Sequence, residues 1–314
     1  LLAQDLKELD RLIRLRLHSD VALIRSVAEY IISGGGKRLR PILVLLASGA
    51  CGYKGANRIE MAAVIEFIHT ATLLHDDVVD ESDLRRGRKT ANTEFGNAAS
   101  VLVGDFLYSR AFQMMLVADD MRVMSVLASA TNTIAEGEVL QLMNTHNLGI
   151  SEGQYLEVIR RKTAALFEAA ARLGAIVAGA SKDVEEGLAS YGAHLGTAFQ
   201  LIDDALDYMG ETATLGKNVG DDLREGKVTL PLIHVMRTGT ESQRSIVRAA
   251  LEGNVQGNLA QVCGAIAASG ALQYTRDVAR AESLSARTSL TCLPDSEFKN
   301  SLLELSKFAV DRVQ

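Results

Sequence analysis

The sequence predicts an all-α fold, a single-domain antiparallel helical bundle around a deep central cavity, and three observations point to it. Pro41, Pro231 and Pro294 are the only prolines in 314 residues, and β-turns and strands would be hard put to fill the long proline-free span between the first two. Strong helix formers, Ala, Leu, Glu and Arg, abound in that span instead. Hydrophobic residues make up 47% of the chain and recur at helical spacing, enough for one large core over residues 1–314.

Composition also narrows the function. A net charge of −6 gives no general attraction to nucleic acid or anionic lipid, so nucleic acid is not an expected partner. Cys51, Cys263 and Cys292 lie far apart with no Cys-x-x-Cys, which indicates neither a disulfide framework nor a zinc site. No uninterrupted apolar run reaches the roughly 18 residues of a membrane span, and no signal-type segment opens the chain. The expectation is a soluble cytoplasmic protein; because the chain opens at Leu1 without methionine, trimming or cleavage there stays open.

In chain order, residues 3–18 read as an amphipathic helix with Leu6, Leu9, Ile13 and Leu17 on one stripe and Lys7, Arg11 and Arg14 beside it. Packing explains the stripe, with transient membrane-surface contact as the alternative. A second helix, Val21 to Ile32, ends at Gly34-Gly35-Gly36. There Gly35-Gly36-Lys37-Arg38-Leu39-Arg40-Pro41 opens a third helix, glycines letting the backbone approach an anion and the cations supplying charge; a mobile basic loop is the plain alternative. A helix from Asn57 to Val79 carries His69 and His75. Glu66 with His69 is half of a di-iron signature, but the chain has no second Glu-x-x-His.

This helix runs into Asp76-Asp77-Val78-Val79-Asp80, then Arg85 and Arg86. Asp76 and Asp80 lie one turn apart on one face, where two carboxylates can share a hard divalent cation. An EF-hand-like Ca²⁺ site is a weaker alternative, since the residues after Asp76 lack the sixth-position glycine and twelfth-position glutamate of that loop. Residues 92–146 read as helix-rich, with Val101 to Leu107 and Met114-Met115 directed inward. A long helix from Glu152 to Ala180 contains Lys162-Thr163, where a lysine interrupts a small, apolar segment; snorkelling is the ordinary reason for such a lysine.

Then comes Phe199-Gln200-Leu201-Ile202-Asp203-Asp204-Ala205-Leu206-Asp207, a second Asp-Asp-x-x-Asp on an apolar helix. If the two quintets face each other, several divalent ions and a polyanion would neutralise them, which points to Mg²⁺ and a diphosphate. The glycine-rich, charged stretch from Leu215 to Pro231 reads as a flap. Amphipathic helices near 241–252, 255–269, 271–290 and 296–313 carry no motif, and packing accounts for them.

From about Ile31 to Pro231 these motifs resemble those of the trans-prenyltransferases, the head-to-tail isoprenyl diphosphate synthases. The resemblance implies that Lys37, Arg40, His69 and Arg86 bind isopentenyl diphosphate, while Arg85 and Lys162 address the allylic diphosphate. It implies Mg²⁺, more than one ion, at Asp76, Asp80 and Asp203, with Asp77, Asp204 and Asp207 in support. Thr163 and Gln200 would turn oxygen dipoles toward the cationic carbon, and Lys217 and Lys227 would close with the flap. A homodimer and brief membrane contact during product release are further implications. Val64, Ile68, Ala71 and Thr72 form the expected chain-length wall; Ala71 is small where short-chain relatives carry an aromatic, which favours the octaprenyl, solanesyl and decaprenyl group that makes quinone side chains. The alternatives are a shorter-chain farnesyl or geranylgeranyl diphosphate synthase, a terpene cyclase, which needs no second quintet, and a non-catalytic partner subunit, which would commonly have lost motif aspartates.

Overall fold

Two long helices carry the acidic quintets, and the rest of the computed structural model is arranged about them; it describes residues 1–85, 87–209, 220–253 and 255–312. The first half comprises α1 (Ala3–Arg16), α2 (Ala22–Ser33), α3 (Leu39–Ala50), α4 (Asn57–Val79), α5 (Ala91–Phe95), α6 (Asn97–Met115) and α7 (Met121–Met143). Then follow α8 (Glu152–Ile159), α9 (Ala165–Val177) and α10 (Lys182–Leu206). The remainder holds α11 (Asp221–Arg224), α12 (Leu230–Thr238), α13 (Glu241–Glu252), α14 (Val255–Ala268), α15 (Ala271–Ser289) and α16 (Glu297–Asp311). Among the described residues the only sheet is a two-residue hairpin, Leu84–Arg85 paired antiparallel with Arg88–Lys89.

α4 is buried on most of its circumference, including Met61, Ile65, Phe67, Ile68 and Leu74, each contributing roughly 1.5–3 kcal/mol. α10 starts at Ser181, whose side chain caps the backbone N–H of Val184, with Asp183 and Glu185 in its first turn. It lies hard against α9: a Cβ on Gly192 would come within 2.4 Å of the Phe167 carbonyl oxygen, and one on Gly196 within 2.7 Å of Ala164 Cα. The apolar core falls into two clusters, and α10 belongs to both. Its first half packs with α1–α7 and α9, while Leu201, Ile202 and Leu206 pack with the helices that follow.

Three expectations are corrected. The long helix expected over 152–180 is divided by a π-helical turn at Arg160–Ala164. Of the α6 residues expected to point inward, Val103, Leu107, Met114 and Met115 are buried, but Val101 and Leu102 are exposed. Although no uninterrupted apolar run is long enough, residues Asn97–Ala118 are by length and overall composition apolar enough to cross a membrane, and only 33% of the qualifying window is buried.

Candidate active site

α4 ends with Asp80 as its C-cap, so the first quintet occupies its last turn and its three carboxylates diverge. Asp77 is 2% exposed, and its Oδ1 accepts from Arg85 Nε at 2.8 Å and Nη2 at 2.6 Å. Burial pushes the Asp77 carboxyl up, and the Arg85 guanidinium pulls it back only in part. Arg85 therefore faces Asp77 rather than the outer side of the mouth. Arg86 and Lys217, both expected to bind phosphate, lie outside the described residues.

Two lysines reach the other aspartates of α4. Lys227 Nζ lies 2.7 Å from Asp80 Oδ2 and 2.6 Å from Glu225 Oε2; burial opposes its charge, but these carboxylates outweigh burial and raise its pKa. Lys162 Nζ lies 2.6 Å from Glu138 Oε2 and 3.8 Å from Asp76 Oδ2. Glu138, which belongs to no motif, is pushed up to about 7 by burial, Lys162 offsetting this only partly. Glu136 lies two residues before it, so its sequence carried no signal that set it apart.

The second quintet ends α10, with Asp207 as the C-cap. Asp203 is half-buried, and Asp204 and Asp207 are buried. Asp204 accepts from the Tyr155 hydroxyl and from Gln200 Nε2 at 2.7 Å, while Gln200 Oε1 accepts from Thr163 Oγ1 at 3.0 Å. Burial first, then the charge of Asp222, push Asp204 up to about 8. Asp207 Oδ2 accepts from the backbone N–H of Asp222 at 3.2 Å, and its carbonyl accepts from that of Gly220 at 2.9 Å. Asp207 thus anchors the chain where it returns toward Lys227.

The π-helical turn connects the two halves. Its adjacent residues Lys162 and Thr163 address Asp76 on one side and Gln200, hence Asp204, on the other. α7 comes so close here that a Cβ on Gly137 would lie 2.5 Å from the Lys162 backbone nitrogen. A hollow of about 110 Å³ is bounded by Lys162, Thr163, Gln200, Asp204, Asp222 and Lys227. A larger cavity of about 670 Å³ starts at Asp76 and Glu138 and runs between α4, α6 and α7 past Thr72, Tyr108, Phe112 and Ala128. Of the expected wall, Thr72 lines this cavity, whereas Val64, Ile68 and Ala71 are fully buried in the core.

Hard oxygen donors stand around the mouth at Asp76, Asp80 and Asp203, but among the described residues no three His, Cys, Asp or Glu side chains converge to hold an ion by themselves. Magnesium is ordinarily held by one or two carboxylates completed by phosphate oxygens and water. The residues fit an ion that shares its coordination with a bound diphosphate.

At the glycine-rich loop, Arg40 Nη1 donates to His69 Nε2 at 3.0 Å and its guanidinium stacks 4.4 Å from the Phe167 ring centroid. Two of the expected phosphate ligands are thereby brought together. Lys37 is exposed, its Nζ 5.5 Å from the Phe308 ring centroid. Past the end of α16, Arg312 stacks 3.8 Å from the Phe199 centroid, donates to the Phe199 carbonyl at 3.0 Å and lies within the field of Asp203. Nothing in the motif-free C-terminal stretch signalled it.

Comparison with known proteins agrees with this geometry. A sequence profile described as "Polyprenyl synthetase" matches residues 21–267. The chain is 54% identical to octaprenyl diphosphate synthase of Escherichia coli (strain K12) over 99% of this chain and 97% of that one. Two crystal structures superpose closely. A polyprenyl synthase from Caulobacter crescentus CB15, complexed with calcium and isoprenyl diphosphate, has a TM-score of 0.96 and 46% identity, covering 99% of this chain and 95% of the other. A decaprenyl diphosphate synthase from Rhodobacter capsulatus has a TM-score of 0.93 and 47% identity, covering 100% and 97%. With the fold, both acidic quintets and this similarity in hand, the chain belongs to the polyprenyl synthetase family.

Proposed function

We propose that this enzyme is a long-chain all-trans-polyprenyl diphosphate synthase that adds isopentenyl diphosphate units to an allylic diphosphate, for quinone side chains. One observation carries the reading: Asp76 of the first quintet stands at the head of a cavity of about 670 Å³, and Lys162 and Thr163 link it to Gln200 and Asp204 of the second.

Asp76, Asp80 and Asp203 would hold Mg²⁺, which supplies charge to a departing pyrophosphate. Lys162 and Lys227 point their ammonium groups into the same mouth and favour negative charge accumulating on the leaving oxygens. The allylic C–O bond breaks and leaves a carbocation. Thr163 donates its own proton to Gln200, so its oxygen lone pairs can face that carbon. Isopentenyl diphosphate, held by Lys37, Arg40 and His69 together with Arg86, attacks through its double bond, and a proton leaves to the released pyrophosphate. Exclusion of water protects the cation, a task suited to the apolar walls below Asp76 and to the Lys227 segment above it.

We further infer a single domain over residues 1–314, because α10 is shared by both core clusters, and a homodimer built on the exposed apolar side chains of α6 and α7. Three free cysteines suit the cytoplasm, with brief membrane contact when product leaves. Incubation with isopentenyl diphosphate, farnesyl diphosphate and Mg²⁺, followed by sizing of the extracted lipid, tests the reading. Long polyprenyl chains are expected. Consumption of farnesyl diphosphate without isopentenyl diphosphate, or no extension at all, would refute it.

A further inference from the structure

His146, in the link between α7 and α8, holds its φ at +60°, a left-handed conformation that a residue with a Cβ adopts only at a cost. Its side chain is exposed, so burial of the ring in the core does not offset that cost. The conformation lets one residue reach two distant segments. Its backbone N–H donates to the Gly226 carbonyl at 2.8 Å, and its ring Nδ1 lies 3.0 Å from the Leu251 carbonyl oxygen. A carbonyl only accepts, so Nδ1 carries a proton and donates it. Leu251 stands one residue before the end of α13, where helix carbonyls lack partners within the helix. His146 thereby ties the α7–α8 link both to α13 and to the segment that bears Lys227.

The peptide between Gly226 and Lys227 is held on both sides. Its oxygen accepts from His146, and its N–H, that of Lys227, donates to the Asp222 carbonyl at 2.8 Å. This peptide sets the direction in which Lys227 leaves the backbone, and the side chain ends 2.7 Å from Asp80 Oδ2 and 2.6 Å from Glu225 Oε2. Gly226 has a φ of +73°, and a Cβ there would lie 2.5 Å from His146 Cε1 and Nε2, so the ring rests directly against the open side of the glycine. Asn144, two residues before His146, lines the small hollow together with Lys227 and Val228. The link therefore borders the mouth of the site.

We propose that His146 is a positioning residue for the reaction: by fixing the Gly226–Lys227 peptide it sets the Lys227 ammonium over Asp80. The inference rests on the reading of Lys227 as a group that favours charge on the departing pyrophosphate. Once the peptide is free to turn, the ammonium can settle on Glu225 alone, and the leaving oxygens lose a donor held in place beforehand.

Two substitutions test this. His146→Ala removes the ring and its donor, whereas His146→Asn keeps a nitrogen donor near the place of Nδ1 and tolerates the left-handed backbone. Both are assayed for kcat and KM with farnesyl diphosphate and isopentenyl diphosphate, alone and in a Lys227→Gln background, and each protein is melted. His146→Ala should lose about tenfold in kcat, within what a displacement of about 1 Å causes, with KM for isopentenyl diphosphate unchanged. His146→Asn should restore most of that loss. In the Lys227→Gln background the alanine change should add little, because its effect passes through the lysine. A His146→Ala protein with the parental kcat, whatever its Tm, overturns the inference, and so does a loss that multiplies in full with that of Lys227→Gln. A parent protein that extends no primer refutes the synthase reading first, and the role of His146 falls with it.

Discussion

Glu138 belongs to neither quintet, yet it is the group closest to Lys162, and it keeps that ammonium directed at the mouth rather than fully onto Asp76. Glu138→Gln keeps the shape and removes the charge; kcat should fall about tenfold, the equivalent of one charge-assisted hydrogen bond of roughly 1.5 kcal/mol. KM for isopentenyl diphosphate should hardly move, and a variant with raised KM and unchanged kcat would place Glu138 elsewhere in the cycle. Asp204 gives a second expectation, about pH. From the ordinary aspartate value of 3.8 its pKa rises to about 8 in the folded chain, so between these limits the native state carries one proton more than the unfolded state. Stability then falls as pH rises through that window, by at most about 1.4 kcal/mol per pH unit. Asp204→Asn, melted in EDTA across that range, should show a flatter Tm profile and a higher Tm than the parent at its alkaline end; parallel profiles would count against the burial of this carboxyl. The aspartates themselves were legible because two Asp-Asp-x-x-Asp quintets on apolar helices seldom arise by chance. That Arg85 turns inward to Asp77 was not legible because one motif arginine can face either the buried carboxylate or the mouth, and the contacts of Glu138, Tyr155 and Arg312 were not legible because these residues sit outside any motif and meet partners far away in sequence.

Among the elements, the π-helical turn at Arg160–Ala164 does most to shape the site, since it lets adjacent residues serve different helices. Sequence reads this stretch as unbroken helix because Ala, Leu and Glu favour one throughout, and the extra residue per turn comes from tertiary packing, as often at functional sites. Gly137 permits that packing. Gly137→Ala should destabilise the fold by about 1–3 kcal/mol, read as a lower urea midpoint, and should lower kcat by displacing Lys162; a fully active variant would mean that the turn can shift without harm. The chain-length wall separates in the same way. α7 faces the large cavity with Ala128, whereas Ala71 is buried in the core. Ala128→Phe should shorten the products, with stability little changed. Ala71→Tyr overfills a closed core and should cost about 1–3 kcal/mol before it shortens anything. Sizing the lipids and melting both variants tells these expectations apart.

At the scale of the molecule, helical class and the order of helices followed directly from proline scarcity and apolar periodicity, while the α6 surface did not, because Leu102 and Val101 are as hydrophobic as the buried Val103 and Leu107. Composition cannot tell a buried face of a helix from an equally hydrophobic exposed one. Divalent ions should matter for chemistry more than for folding. Excess EDTA is expected to abolish chain extension while leaving the far-ultraviolet circular dichroism unchanged, and Mg²⁺ should restore activity; a helical signal lost with the metal would contradict this. α10 has a longer reach than its aspartates suggest, since its second half is held in place by α12, α13, α14 and α15, none of which bears a motif. Inactivating lesions recovered from a random screen should therefore scatter well beyond residue 230, and most of those late ones would surface as poorly folded protein that heals at lower temperature, not as sound protein with a broken catalyst.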